Sequence, residues 1–207
     1  LINVPPAANE FLAWLNSLNI DLPQGTAPED KATAIRYLAG TESDAVVNTG
    51  TDKDVIITLL NETSAEPGKP GNTAYAGSIL GSARLVKDGE RKLTIDGRIT
   101  ASALDVHQGE LVLQNRAESS IISGTLNVER DAALTLNSAS LAAADLTGSG
   151  SITLAGGALL TISRETLSDL TLNASITGAG TLKLGNCNLV LTTGSNLGEN
   201  VLLHLDG

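Results

Sequence analysis

Asn48-Thr49-Gly50-Thr51 follows Val46-Val47 and has the outline of the Asp-Thr-Gly-Ser/Thr turn on which peptide-cleaving carboxylate dyads are built. That chemistry needs two carboxylates sharing one proton, so that one acts as base and the other as acid. Asn48 cannot ionise, so the turn lacks the atom on which the reaction depends. A non-standard pair would have to draw on Asp52, Asp54 or Asp96, the last of which follows the apolar Leu93-Thr94-Ile95. The plain reading of this segment is a strand running into a turn.

His107 and His204 are the two histidines, 97 residues apart and each among apolar neighbours. An imidazole can serve as a general base near neutrality. Neither is accompanied by a nucleophile motif such as G-x-S-x-G, which favours solvent-facing strand positions for both. Cys187 stands between Asn186 and Asn188 at a turn. A reactive thiol wants a positive neighbourhood or a helix N-terminus, and the sequence offers neither. One Cys excludes a disulfide within the chain, and two His with one Cys fall short of a four-ligand zinc site. The Gly-x-Gly pairs at 148–150 and 178–180 precede strands and do not extend to G-x-G-x-x-G, so they imply no phosphate cradle. Asp- and Asn-rich turns offer oxygen ligands to Ca²⁺, but the nonapeptide calcium repeat is absent. Arg84, Lys87, Arg91, Lys92 and Arg98 form a local basic cluster that reads as a solvated face able to meet an acidic glycan. No catalytic residue, cofactor or metal is assigned from these motifs.

Composition narrows the classes further. Among 207 residues, 23 are acidic and 13 basic, for a formal charge of -10. A nucleic-acid binder needs a basic footprint, and an anionic membrane surface attracts polybasic segments; neither suits this chain. No apolar run reaches the roughly 18 residues of a membrane span. The sequence starts at Leu1 and contains no Met, and it stops in an alternating segment at 201–205. The expectation is a piece of a longer protein that continues beyond it.

The elements that must position these residues fall into two parts. All four aromatic residues, Phe11, Trp14, Tyr37 and Tyr75, lie early. Phe11, Leu12, Trp14, Leu15 and Leu18 recur at three and four residues, which predicts a helix over 7–19. Thr26 stands three residues before Glu29 with Pro28 between them, a capping box that predicts a second helix over 27–39. Residues 1–45 are thus expected to be a helical cap, or a segment that docks on a partner through Phe11, Trp14 and Leu18. Residues 66–71 carry two Pro and two Gly and read as a loop.

From Val46 the period changes to two, and 46–207 reads as one repeat domain. Leu-x-Leu units recur, and taking Leu111, Leu134, Ile152, Leu170 and Leu189 as one series gives spacings of 23, 18, 18 and 19. Residues 146–154 also match 176–184, with the Gly-x-Gly pairs superimposed. A rung of about 20 residues is a β-solenoid spacing. A short strand cannot bury its apolar face alone, whereas stacked rungs bury a continuous aliphatic column. The fold expected is therefore mainly β, a parallel β-solenoid with a small N-terminal α-helical cap; a β-sandwich also gives many short strands and is the alternative.

Residues 75–115 resemble the passenger-associated strand repeat of bacterial autotransporters. Leu85, Lys87 and Gly89 match its L-x-K-x-G part. Leu93, Ile95 and Gly97 match L-x-L-x-G, and Gly109, Leu111 and Leu113 match x-G-x-L-x-L. The resemblance implies a right-handed parallel β-helix in an exported bacterial protein, at the cell surface or outside the cell. It implies adhesion or display, with a glycan or host surface protein as partner and no catalytic residues in the repeat. The other reading is a secreted hydrolase acting on host glycoprotein (mucin) or polysaccharide. That enzyme needs two carboxylates on adjacent rungs facing one groove, from the pool Asp96, Asp105, Glu110 and Glu129.

Overall fold

The computed structural model of the protein describes residues 20–21, 32–35, 38–60, 72–114 and 119–206. Among the described residues there is no helix, and so none long and apolar enough to cross a membrane. The strands form three sheets. The first holds β1 (Ile20–Asp21), β3 (Val46–Gly50) and β6 (Ser78–Gly81). The second has ten strands. In spatial order they are β2 (Ala32–Ile35), β4 (Ile56–Leu59), β7 (Arg84–Lys87), β10 (Ala103–Val106), β12 (Ser120–Val128), β14 (Ser140–Thr147), β16 (Leu159–Leu172), β18 (Thr181–Leu191) and β20 (Leu202–Asp206), with β9 (Thr100–Ala101) also on β12. The third has seven: β5 (Thr73–Tyr75), β8 (Leu93–Ile95), β11 (Gly109–Leu113), β13 (Ala132–Asn137), β15 (Ser151–Ala155), β17 (Ser175–Gly178) and β19 (Asn196–Leu197).

Every pairing between these strands is parallel. That settles the alternative: the stack is a β-solenoid and not a sandwich of antiparallel sheets. The chain visits three faces in turn, then climbs one strand spacing, about 4.8 Å. Long strands such as β12 and β16 cross from the first face to the second without leaving the ladder. β12 shifts register between Ile122 and Thr125 at that corner, and β16 between Ser163 and Ser168.

Alternation explains the interior. On the third face Leu93, Leu111, Leu134, Ile152 and Ile176 are successive partners, and each is fully buried. On the second face Ile57, Leu85, Leu104, Leu126 and Leu146 form the same kind of column. Burying one such side chain contributes about 1.5–3 kcal/mol. Identical layers fill space with aliphatic groups alone; Tyr75 is the aromatic residue of the described core. The columns fade at the C-terminal end, where Leu191 and Leu205, stacked on the buried Leu172 and Leu184, are 53% and 60% exposed.

Three expectations need correction. Leu170 and Leu189 do not belong to the series of Leu111, Leu134 and Ile152, because they lie on the second face in β16 and β18. The third-face series runs instead through Ile176 and Leu197. The match of 146–154 with 176–184 is likewise offset by one face. Leu146 lies on the second face and Leu154 on the third, whereas Ile176 lies on the third and Leu184 pairs with Ile162 on the first. Leu-x-Leu units and glycine corners are chemically alike on all faces, so sequence matching cannot tell one from another. Within the expected helix over 27–39, Ala32–Ile35 is a strand paired with Ile56–Leu59. The β-branched Ile35 suits that ladder, and pairing outweighs the capping signal. The helical cap is thus not seen among the described residues, and β1 and β2 carry the sheets into the first 45 residues. The helix over 7–19, with Phe11, Trp14 and Leu18, and the loop over 66–71 lie outside the described residues.

Candidate functional site

Asn48-Thr49-Gly50-Thr51 forms the corner between the first and second faces. The Asn48 side-chain carbonyl accepts a hydrogen bond from Gly50 N–H at 3.0 Å, the work of a turn residue. Thr49 is fully buried, and its hydroxyl donates to Leu80 O and accepts from Ala83 N–H of the next turn. The segment therefore braces one rung to another. Asp52 accepts from Asp54 N–H at 2.9 Å in the turn before β4. Asp96 lies past β8, at the corner between the third and first faces, where its N–H donates to Tyr75 O. Asp52 and Asp96 stand at different corners and form no dyad.

The remaining carboxylates each meet a different group. Asp105 is buried on the outer side of the second face and accepts a 2.6 Å charge-assisted bond from Arg84 Nε. That bond, and then the charge of Asp105, raise the Arg84 pKa against the opposing effect of burial. Glu110 accepts from the Thr135 hydroxyl at 2.9 Å on the third face. Glu129 lies 3.6 Å from His107 Nε2 at the corner between the second and third faces. None of these pairs joins two carboxylates.

His204 is exposed on β20, 2.8 Å from Asp206, which also accepts from Lys183 at 2.7 Å on the preceding turn. Lys183 first, and then His204, hold the Asp206 carboxyl below its usual range. Cys187 is half-buried, with its thiol donating to Gly185 O at 3.1 Å. The Gly-x-Gly pairs serve close stacking: a Cβ on Gly148 would lie 2.0 Å from Val128 O, and one on Gly178 2.2 Å from Leu154 O.

The basic cluster disperses. Arg84 is on the second face, Arg91 and Lys92 are exposed in the turn before β8, and Arg98 follows that strand. Lys87 is not on a solvated face at all. Its strand position is inward, between Leu59 and Val106, and it is fully buried.

Two features escaped the sequence reading. Arg164 lies within β16 at the corner between the first and second faces and pairs with Asp145 of the turn below, while also donating to Ser168 Oγ and Asp169 O. The rung spacing of about 20 residues, applied to Asp145, would have found it. The other is the outer row of the third face, where Thr94, Val112, Thr135, Thr153 and Thr177 are successive partners. Ser151 and Ser175 pair alongside it, two residues earlier on their strands. The result is a row of threonine hydroxyls, broken by the buried Val112, that steps along the stack at about 4.8 Å per turn. Among the described residues, no group of three His, Cys, Asp or Glu is placed to hold a metal ion.

These features define a class, a parallel β-solenoid of about seven turns. Compared with protein-family models, with curated proteins and with solved structures, the chain matches none.

Proposed function

We propose that this chain is a non-catalytic display or adhesion module of an exported bacterial protein of the autotransporter type, carried at the cell surface or released. In this reading the turns are right-handed, as parallel crossovers nearly always are. The partner is a glycan or a glycosylated host surface protein.

The observation that carries the reading is the hydroxyl row on the third face. An extended ligand meets there many similar contacts held at fixed spacing by a rigid stack. Each contact is weak, and their sum gives binding without a cleft. The hydrolase alternative finds less support, because Asp96, Asp105, Glu110 and Glu129 are distributed over separate corners and faces, and the carboxylates of Asp105, Glu110 and Glu129 engage other groups.

The test combines two assays on purified protein. One incubates mucin, casein and acidic polysaccharides at pH 4 to 8 with the protein and with an Asp52→Asn/Asp96→Asn chain. The other measures retention on immobilised glycans and on cells, for the protein and for a Thr135→Arg/Thr177→Arg chain. No cleavage, with retention reduced at least tenfold in the arginine chain, is the expected result. Cleavage that disappears in the asparagine chain would overturn the reading in favour of a carboxylate enzyme.

A further inference from the structure

Lys87 lies in a place where a charged side chain is rarely found. Its column partners are Leu59 on the turn before and Val106 on the turn after, and it has no exposed surface. The side chain is long enough to carry its ammonium past the aliphatic column into the corner between the second and third faces. There Nζ donates to three backbone carbonyls: Asp88 O at 3.1 Å, Gly89 O at 2.8 Å and Gln108 O at 3.0 Å. An ammonium has three donors and no acceptor, so all three are used.

The three carbonyls come from two turns. Asp88 and Gly89 belong to the turn of β7, and Gln108 to the turn of β10 that stacks on it. The corners are already pressed together. Gly109 has φ +65, and a Cβ there would lie 2.6 Å from Gly89 O. Three carbonyl dipoles thus point their negative ends into one buried space. Without a cation they would repel one another and go unsatisfied. Their convergence has the chemistry of a cage for a monovalent cation.

We propose that Lys87 is an internal cation that locks the register of two successive turns, its ammonium occupying a carbonyl cage built from Asp88, Gly89 and Gln108. Buried polar groups have their best-attested use in fixing register. A parallel ladder of near-identical Leu-x-Leu strands needs such a device, because a slip by one residue would exchange inner and outer side chains. The L-x-K-x-G unit at Leu85, Lys87 and Gly89 then has a physical meaning: a column residue, the cation of the corner, and the glycine that turns it. Asp88 supports the corner through its carboxylate, which accepts from Gly89 N–H at 2.8 Å.

The wild-type protein provides the first test. Reductive methylation followed by mass spectrometry should modify Lys53 and Lys92, which are exposed, at least about 100-fold faster than Lys87. In a ¹⁵N,¹³C-labelled sample, hydrogen-bond couplings should connect the Lys87 Nζ to the carbonyl carbons of Asp88, Gly89 and Gln108. Methylation of Lys87 at the rate of Lys53, or a freely exchanging ammonium without these couplings, overturns the cage. The second test is hydrogen exchange in Lys87→Met, which keeps the length of the side chain and removes the donors. Segments 84–92 and 103–113 should exchange at least tenfold faster, with segments 132–184 unchanged. Unchanged exchange at the corner, or an equal rise throughout, overturns the lock. If the Lys87→Met chain does not fold, the couplings in the wild type decide.

Discussion

Two leucines on inward positions of the same kind of ladder should respond very differently to the same truncation. Leu134 is fully buried and has Leu111 and Ile152 as partners above and below. Leu205 pairs with Leu184 below it but is 60% exposed, at the end of the described stack. Leu→Ala removes three carbons. For a buried site the transfer loss and the cavity together cost about 3–5 kcal/mol. With over half of Leu205 already in water, both parts shrink, and the expected cost is about 1 kcal/mol or less. Urea unfolding followed by circular dichroism measures both, with unfolding monitored in both chains under identical salt and pH. Because turns in a solenoid interact mainly with their neighbours, Leu134→Ala should also lower the cooperativity of the transition. Equal losses in the two chains, or a loss below about 1 kcal/mol for Leu134→Ala, would refute the stacked-column reasoning.

Other outcomes follow from particular contacts. Gly109→Ala should destabilise by at least about 2 kcal/mol, since its φ of +65 is unfavourable for any L side chain and the new Cβ would strike Gly89 O; thermal unfolding measures it. Arg84→Ala leaves the buried Asp105 carboxylate without its charged donor and should cost about 1–3 kcal/mol, whereas Arg91→Ala should be nearly neutral by the same measurement. Stability should also fall at alkaline pH. Burial raises Tyr75 from 10.0 to about 12, so the folded chain keeps its proton longer than the unfolded one and stability falls through that window by up to about 3 kcal/mol. Unfolding at fixed urea from pH 7 to 12, with phenolate absorbance followed in parallel, checks it.

Much of the architecture is legible in the sequence because one physical requirement repeats. A strand that buries alternate aliphatic residues, and a corner that needs glycine, recur at a spacing that only a stack satisfies. The assignment of strands to faces is not legible, because Leu170 on the second face and Ile152 on the third sit in equivalent chemical surroundings. The strand at Ala32–Ile35 is hidden for another reason: its pairing partner, Ile56–Leu59, is far away in sequence, while the capping signal is local. Lys87 is hidden because charge alone predicts exposure, and its burial depends on three carbonyls contributed by two turns. The candidate carboxylates could be named from the sequence, but their separation by corners could not.

The parallel stacking of turns is tested most directly by a distance along the stack. Spin labels on cysteines replacing Thr94 and Thr177, in a Cys187→Ser background, mark positions four pairings apart on the third face. Pulsed electron resonance should give a narrow distribution centred near ~19 Å between backbones, four steps of about 4.8 Å. A broad distribution, or a mean beyond about 30 Å, would contradict the stack and with it the display surface built upon it.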